Sequence, residues 1–196
     1  MKKVQIESQS RLLDDFFKVD EAVVRYEQFD GQMSAPTRLL NLDRGDSAAV
    51  LLVNQRSQKV ILVNQFRYPT YQEGLGWILE LVAGKVEVEE NPEKSVRREI
   101  FEEIGYEVKN LLHITTFYPS PGGSSERIFL YYAEVLDENK IAKGGGLRQA
   151  HEDTQIVEIP IQEAFGLMET GEILDAKTII AFLWLKLNVN RENENS

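Results

Sequence analysis

The amino-acid sequence predicts an α/β/α sandwich with a mixed sheet, preceded by a small antiparallel β element. Three observations favour this fold class. Apolar runs with the period of a strand alternate with segments that have the period of a helix. One segment, 92–104, carries both a start signal and a stop signal of a helix. A turn signal near Asp30-Gly31 separates the strands expected near the N-terminus.

The elements follow one another in three parts. We expect an N-terminal β element over residues 1–45, a main domain over residues 46–188 and a polar tail over residues 189–196. The predicted helices are 92–104, Ile161–Thr170 and Ala176–Leu187. The predicted strands are Ala22–Phe29, Ala48–Asn54, Val60–Phe66, Ile78–Val82, Leu111–Phe117, Arg127–Val135 and Gln155–Ile159.

The N-terminal β element needs a larger surface to pack against, because a piece of two or three strands is marginally stable alone. We expect residues 1–45 to pack on another subunit. The alternative is a sheet folded onto the core of its own chain.

Composition favours a globular enzyme. The 196 residues are 42% hydrophobic, which is enough for one core. The 32 acidic and 22 basic residues give a net charge of −10, which argues against nonspecific binding to nucleic acid or to an anionic membrane. The chain starts without a signal-peptide pattern, and its most apolar window, TIIAFLWLKL, is too short to span a bilayer. We therefore expect a cytoplasmic protein.

The helix over 92–104 is defined by its ends and by one apolar stripe. Asn91 suits the cap, Pro92 the first helical position and Gly105 the left-handed residue that ends a helix. The stripe recurs every four residues and consists of Val96, Ile100 and Ile104.

Another face of this helix is strongly acidic. Glu99 and Glu103 are one turn apart, with Glu102 beside them, and like charges at this spacing repel each other. Oxygen donors without any cysteine suit a hard cation such as Mg²⁺ or Mn²⁺ and disfavour zinc. The alternative is a solvated surface helix in which Arg98 pairs with Glu102.

The spacing of the whole segment favours the metal site. It follows the pattern Gly, five residues, Glu, seven residues, Arg-Glu-aliphatic, any residue, Glu-Glu, any residue, Gly-aliphatic. The residues at these positions are Gly84, Glu90, Arg98, Glu99, Ile100, Glu102, Glu103, Gly105 and Tyr106. The chain therefore resembles a Nudix hydrolase, and departs from the pattern only at Tyr106, where an aliphatic residue is usual.

The resemblance implies hydrolysis of a nucleoside diphosphate linked to another moiety, with divalent cations. By motif position, Glu99 and Glu103 are expected as the principal metal ligands, and Glu102 as a further ligand or a partner of the ligands. The backbone carbonyl of Ala83 is implied as an additional ligand. Arg98 is expected to hold the glutamates in position through ion pairs rather than to touch the substrate.

Three further segments resemble the branch that hydrolyses ADP-ribose and related nucleoside diphosphate sugars: NQFRYPT, ELVAGKVE and SPGGSSER. Arg67 is implied as a pyrophosphate contact, because a guanidinium fork matches phosphate oxygens. Glu126 matches a glutamate that contacts the terminal sugar. Gly122 and Gly123 would allow a close backbone approach or an unusual turn. The competing interpretations are a surface arginine and an ordinary hairpin loop.

The segment Lys143–Gln155, KGGGLRQAHEDTQ, resembles the loop that supplies a glutamate to the metals of this branch. Glu152 is our candidate for the base or a further ligand. Ala150 stands where relatives often carry another acid, so the carboxylate that activates water remains open. His151 is more simply interpreted as incidental.

The resemblance leaves the substrate open. ADP-ribose, cleaved to AMP and ribose 5-phosphate, is our first candidate, since Pro121 lies 16 residues after Gly105, where this branch carries a proline associated with that substrate. GDP-mannose is the alternative. Tyr68, Tyr71 or Trp77 could stack on a base, although aromatic residues near strand ends often belong to a core or an interface.

Two further expectations follow from the resemblance. In this branch an N-terminal sheet helps to build a homodimer whose active sites take residues from both chains. A protein that binds a nucleotide sugar as a regulator, without cleaving it, is the alternative of another class. The complete set of acidic motif residues favours the enzyme.

Overall fold

The computed structural model describes residues 2–145 and 153–194. The chain forms two compact units. The first contains Met1–Gly45 together with Tyr118–Arg127, and the second contains Asp46–Phe117 together with Ile128–Ser196. From sequence, residues 118–127 are expected within the main domain (46–188). They join the first unit because Leu42 donates its N–H to the Gly123 carbonyl at 2.8 Å, and Ser124 Oγ donates to the Leu42 carbonyl at 3.0 Å.

The first unit contains an antiparallel sheet of three strands in the order β1-β2-β3. The strands are β1 (Val4–Asp14), β2 (Lys18–Tyr26) and β3 (Thr37–Asp43). The predicted turn near Asp30-Gly31 is confirmed, since Gly31 has a φ of 85° and Asp30 accepts a hydrogen bond from the Gln32 N–H at 2.9 Å. The expected N-terminal antiparallel β element is therefore present.

The second unit contains a mixed sheet of seven strands. Its central path is β10-β5-β4-β9-β8, while β6 pairs with β5 and β7 pairs with β4. The β4–β9 pair is parallel and the other pairs are antiparallel. The strands are β4 (Ser47–Asn54), β5 (Lys59–Phe66), β6 (Trp77–Glu80), β7 (Val82–Lys85), β8 (Leu112–Phe117), β9 (Ile128–Val135) and β10 (Thr154–Pro160).

Helices cover both faces of this sheet, which gives the predicted α/β/α layers. Alternate residues of β4 point to opposite faces, so that Leu51 lies in the core cluster beneath α3 and α4 and Leu52 lies in the cluster beneath α2. All three predicted helices are present. The helices are α1 (Tyr68–Tyr71), α2 (Pro92–Glu99), α3 (Ile161–Glu169) and α4 (Ala176–Glu194).

Two helices differ from the sequence prediction. The segment 92–104 is α-helical only as far as Glu99, and Ile100–Ile104 continue it as one wider π-helical turn. Helix α4 extends to Glu194, beyond the predicted end at Leu187, and therefore takes in most of the predicted polar tail 189–196. Among the described residues, no helix combines the length and the apolar character needed to cross a membrane.

Candidate active site

The helix that carries the acidic residues is fixed at both ends. The Asn91 side chain accepts a hydrogen bond from the Glu93 N–H at 2.8 Å, and Pro92 occupies the first helical position. Gly105 has a φ of 75°, which favours glycine. A Cβ atom there would lie 2.1 Å from the Ala142 carbonyl oxygen. Both predicted ends are therefore confirmed.

The apolar stripe of this helix packs against the large sheet. Val96, Ile100 and Ile104 are completely buried, as their spacing predicts. Because this face packs against the sheet, two carboxylates of the acidic face are buried as well. Glu99 and Glu103 retain only 8% and 4% of their surface exposure. A solvated surface helix does not bury two carboxylates in this way.

Arg98 lies at the centre of the acidic residues. Its Nη1 lies 2.6 Å from Glu99 Oε1 and 3.5 Å from Glu102 Oε2, and its Nη2 lies 3.5 Å from Glu90 Oε2. Burial of the guanidinium disfavours its charge, but the charges of Glu99, Glu90 and Glu102 outweigh this effect and raise the pKa of Arg98 above its ordinary value. One cation is thus shared among three carboxylates.

The loop before α2 is tied to the same arginine. The Glu87 N–H donates to Glu90 Oε2 at 3.2 Å. This hydrogen bond, together with the charge of Arg98, lowers the pKa of Glu90. The Lys85 carbonyl accepts from Ser95 Oγ at 2.9 Å and from Arg98 Nη2 at 3.3 Å. These bonds fix the loop on the helix.

Gly84 provides the space in which Glu99 lies. It follows Ala83 in β7, which pairs with the central strand β4. A Cβ atom at position 84 would lie only 2.0 Å from Glu99 Cδ and 2.1 Å from Glu99 Oε1. The glycine that opens the motif is therefore required by the position of this carboxylate.

The end of the acidic helix also holds the start of the glycine-rich segment. The Gly145 N–H donates to the Glu103 carbonyl at 2.7 Å. Gly144 has a φ of 68°, and a Cβ atom there would lie 2.6 Å from the same carbonyl oxygen. The start of the glycine-rich segment is therefore hydrogen-bonded to the Glu103 backbone. Glu152, together with Ala150 and His151, lies outside the described residues.

Arg67 forms a separate cluster in the same unit. It follows β5, its side chain is 43% exposed, and its Nε donates to Glu80 Oε1 at 2.7 Å. Glu80 ends β6 and is buried. Its other oxygen, Oε2, accepts a hydrogen bond from Lys177. Arg67 is thus a half-exposed cation that is paired with a buried carboxylate, and not a surface charge without an ion-pair partner.

The substrate-binding candidates of the SPGGSSER segment lie in the first unit. Glu126 is buried there, with Arg44 Nε 3.6 Å from its Oε1. Gly122 and Gly123 line a groove of about 540 Å³ on the three-stranded sheet. Neither glycine has a positive φ, and a Cβ atom at either position would meet nothing within 4 Å. Neither position therefore needs glycine for its backbone conformation, and a close backbone approach to a ligand stays a prediction.

The aromatic candidates form an exposed group beside Arg67. Tyr68, Tyr71 and Trp77 each expose more than half of their surface. Phe66 contacts two of them, with ring centroids 5.9 Å from Tyr71 and 5.7 Å from Trp77. They do not belong to the two core clusters of the described residues.

Comparison with known proteins identifies the family. The family model of the NUDIX domain matches residues 43–182. This chain belongs to the NUDIX family. The match covers both the acidic helix and the Arg67 cluster, and it confirms the resemblance inferred from the motif.

Individual relatives of this NUDIX protein are similar over nearly its whole length. The GDP-mannose pyrophosphatases of Shigella flexneri and Escherichia coli O157:H7 are each 34% identical over 179 residues, which is 90% of this chain and 92% of theirs. The crystal structure of an ADP compounds hydrolase has a TM-score of 0.75 at 16% identity and covers 97% of this chain and 96% of its own. This likeness shows the same fold.

The donors of the NUDIX motif fit a hard divalent cation. Two buried carboxylates, Glu99 and Glu103, lie on one helix face. The missing side chain of Gly84 leaves the space that Glu99 occupies. Within the described residues, no three acidic or histidine side chains converge closely enough to hold a metal by themselves. Magnesium is often bound through one or two carboxylates, with waters and substrate phosphates completing the shell. The donor set therefore suits such a cation together with a phosphorylated ligand.

Sequence reasoning missed two residues of the Arg67 cluster. From sequence, Glu80 is only a part of the segment ELVAGKVE, and Lys177 is only a part of the helix predicted over Ala176–Leu187. A charged residue that closes an apolar strand, as Glu80 closes Trp77–Glu80, is a signal for a buried ion pair. Its partner lies 97 positions away in the chain, so no local pattern indicates it.

Proposed function

We propose that this NUDIX hydrolase cleaves the pyrophosphate bond of a nucleoside diphosphate sugar, using Mg²⁺ or Mn²⁺. The observation that carries the proposal is the pair of buried carboxylates Glu99 and Glu103 on the motif helix. Glu99 shares Arg98 with two further acids, Glu90 and Glu102. Burying carboxylates is costly unless a cation compensates their charge, and a divalent ion suits this role.

Each candidate residue has a distinct part in the reaction. Glu99, Glu103 and the Ala83 carbonyl would hold the cation, with Glu102 as a further ligand or a support. A bound divalent ion neutralises pyrophosphate oxygens and lowers the pKa of a coordinated water. Arg98 keeps the carboxylates in register through its ion pairs.

The remaining groups act on the substrate and on water. Glu152 accepts a proton from the attacking water, whose oxygen forms a bond to one phosphorus while the bridging P–O bond breaks. The bridging oxygen leaves with the electron pair on the other phosphate. Arg67 donates to the pyrophosphate oxygens. Glu126, Gly122 and Gly123 are assigned to the sugar end.

Among the substrates, we place GDP-mannose first and ADP-ribose second. The support for GDP-mannose is the 34% identity to GDP-mannose pyrophosphatases over 90% of the chain. The support for ADP-ribose is Pro121, which lines the groove in the first unit beside Gly122. The products would be GMP and mannose 1-phosphate in the first case, and AMP and ribose 5-phosphate in the second.

The three-stranded sheet supports a homodimer as the working form. It exposes a set of apolar side chains that a monomer leaves in water. These residues are Val4, Ile6, Leu12, Leu13, Leu39 and Leu40. Sedimentation equilibrium should give two chains per particle, and Ile6→Asp should shift the equilibrium towards one chain, whereas the neighbouring Ser8→Asp should have less effect. A single chain in the wild type would contradict the dimer.

The function is tested by analysing products with ion-exchange chromatography. Wild type and Glu103→Gln are incubated with Mg²⁺ and either GDP-mannose or ADP-ribose. The matched control is Glu107→Gln, because Glu107 lies on the same segment but is exposed. We expect GMP or AMP from wild type and from the control only. Binding of a nucleotide sugar without any cleavage would favour the regulatory alternative.

A further inference from the structure

The carboxylate of Glu80 is shared by two cations, one on each oxygen. Arg67 Nε donates to Oε1 at 2.7 Å, and Lys177 Nζ donates to Oε2. An arginine that faces an unshared carboxylate commonly forms two parallel hydrogen bonds, one to each oxygen. Here Lys177 lies on the second oxygen, and Arg67 makes a single side-chain hydrogen bond to Glu80, through Nε.

This arrangement leaves most of the guanidinium available. Within the described residues, Nη1 and Nη2 of Arg67 make no hydrogen bond or ion pair. The side chain is 43% exposed, whereas that of Glu80 is only 5% exposed. The guanidinium is therefore held from its buried side, and the two terminal nitrogens remain for an anion. Two such nitrogens match two oxygens of a phosphate group.

Lys177 is itself fixed by the start of α4. Its Nζ lies 3.0 Å from Asp175 Oδ1. Asp175 Oδ2 accepts hydrogen bonds from the N–H of Thr178 at 3.0 Å and from its Oγ1 at 2.5 Å. Thr178 Oγ1 in turn accepts from the Leu81 N–H at 3.0 Å. Since Leu81 follows Glu80, these contacts form a closed ring.

These contacts hold the Lys177 side chain at Glu80. Its side chain is only 11% exposed, and both of its partners are carboxylates, Glu80 at the end of β6 and Asp175 just before α4. The start of a helix favours a negative charge, so part of the charge on Asp175 is balanced by α4 itself. Lys177 thus remains available to balance Glu80, and Arg67 is not needed for that purpose alone.

We infer that Lys177 is a positioning residue for Arg67: by occupying Glu80 Oε2 it prevents a two-bond pair and presents the terminal guanidinium nitrogens to the pyrophosphate of the substrate. This inference rests on the proposed function of Arg67 as a pyrophosphate contact. Glu80 accepts hydrogen bonds from both cations, and Lys177 determines how many of them come from Arg67.

The test compares Lys177→Met with wild type in two measurements. The first is the Kd for inorganic pyrophosphate by calorimetry in the presence of EDTA. The second is KM and kcat for GDP-mannose and ADP-ribose with Mg²⁺. Loss of Lys177 allows Arg67 to fork onto Glu80, so we expect Kd and KM to rise about tenfold, with a smaller change in kcat. Lys186→Met is the matched control, since Lys186 lies on the same helix and pairs with the exposed Glu169.

A second substitution separates positioning from a general structural effect. In Glu80→Gln/Lys177→Met the neutral amide no longer attracts a two-bond pair, so most of the lost pyrophosphate binding should return. A role in folding alone would give no such recovery, and this result would overturn the inference. If Lys177→Met is too unstable to measure, Lys177→Gln replaces it, and a Kd equal to that of wild type would also overturn the inference.

Arg67→Ala separates the proposed function of Arg67 from the positioning role of Lys177. If Arg67→Ala binds pyrophosphate as well as wild type does, the proposed function of Arg67 fails. If Arg67→Ala weakens binding but Lys177→Met does not, Arg67 keeps its function and the inference fails. In the Arg67→Ala background, Lys177→Met should add no further loss of binding, because the two residues act through one contact.

Discussion

The Arg98 cluster and the Arg67 cluster use the same residue types in opposite proportions. Arg98 faces three carboxylates, those of Glu90, Glu99 and Glu102. In the Arg67 cluster, one buried carboxylate, Glu80, faces two cations. Among the described residues, the ion pairs of the first cluster join three acids to one base, which suits a divalent cation. The second is balanced internally and leaves guanidinium donors for an anion. A metal and a pyrophosphate are the ligands that these two arrangements suit.

The largest expected effect removes charge from the acidic cluster. Glu99→Gln takes away a buried ligand carboxylate, so kcat with Mg²⁺ should fall at least about 100-fold. The Tm should stay near that of wild type, because the substitution also reduces repulsion on the helix face. Steady-state kinetics and thermal melts check both parts, with Glu107→Gln as the exposed control. Unchanged turnover would show that this carboxylate holds no catalytic metal.

A substitution that moves the same carboxylate without removing it should have the next largest effect. Gly84→Ala places a methyl group where Glu99 lies, at 2.0 Å from its Cδ. Overpacking of this kind costs about 1–3 kcal/mol, and we expect both Tm and kcat to fall. Gly166→Ala in α3, where a Cβ atom meets nothing within 4 Å, is the matched control. Equal kinetics for the two variants would contradict the idea that Gly84 is needed to leave space for the Glu99 carboxylate.

A smaller change is expected when residue 67 keeps its positive charge but loses the planar guanidinium group. Arg67→Lys can still pair with Glu80 but cannot present two terminal nitrogens. We expect KM for the nucleotide sugar to rise about tenfold with a smaller effect on kcat. Initial rates over a range of substrate concentrations measure this split. An effect on kcat alone would place Arg67 in the chemical step instead of in binding.

The smallest effect concerns Glu90. Its pKa is lowered first by the Glu87 N–H and then by the charge of Arg98, so its stabilising contribution is present above the ordinary pKa of 4.5. This contribution is lost as pH falls through the lowered folded-state pKa. The Tm of Glu90→Gln should therefore lie below that of wild type at pH 7, and the difference should shrink in acid. A difference that grows in acid would have the wrong sign.

The acidic cluster could be predicted from sequence because its information is local. The cap, the apolar stripe and the glutamates of the motif all lie between Gly84 and Tyr106, and helical geometry alone brings them together. The central strands were predictable for the same reason. Their apolar runs are continuous, and β4 from Ala48 to Val53 is buried throughout.

The Arg67 cluster could not be predicted, since its contacts join distant parts of the chain. The partners Glu80 and Lys177 are brought together only when α4 packs beside the end of β6. The same limit applies to residues 118–127, which join the N-terminal sheet through backbone bonds to Leu42. Strand β1 was missed because its apolar residues mix with polar ones, and all of its residues are exposed.

The parallel pairing of β4 with β9 has a consequence for biosynthesis. It joins Ser47 to Ile128 and Asn54 to Val135, so the middle of the large sheet is assembled from early and late parts of the chain. On the ribosome, one edge of β4 can pair early with β5 and β7, but its other edge must wait until β9 has emerged. Such non-local pairing slows folding and leaves an aggregation-prone strand exposed in the meantime. The nascent chain is therefore expected to depend on chaperones more than its size alone would suggest.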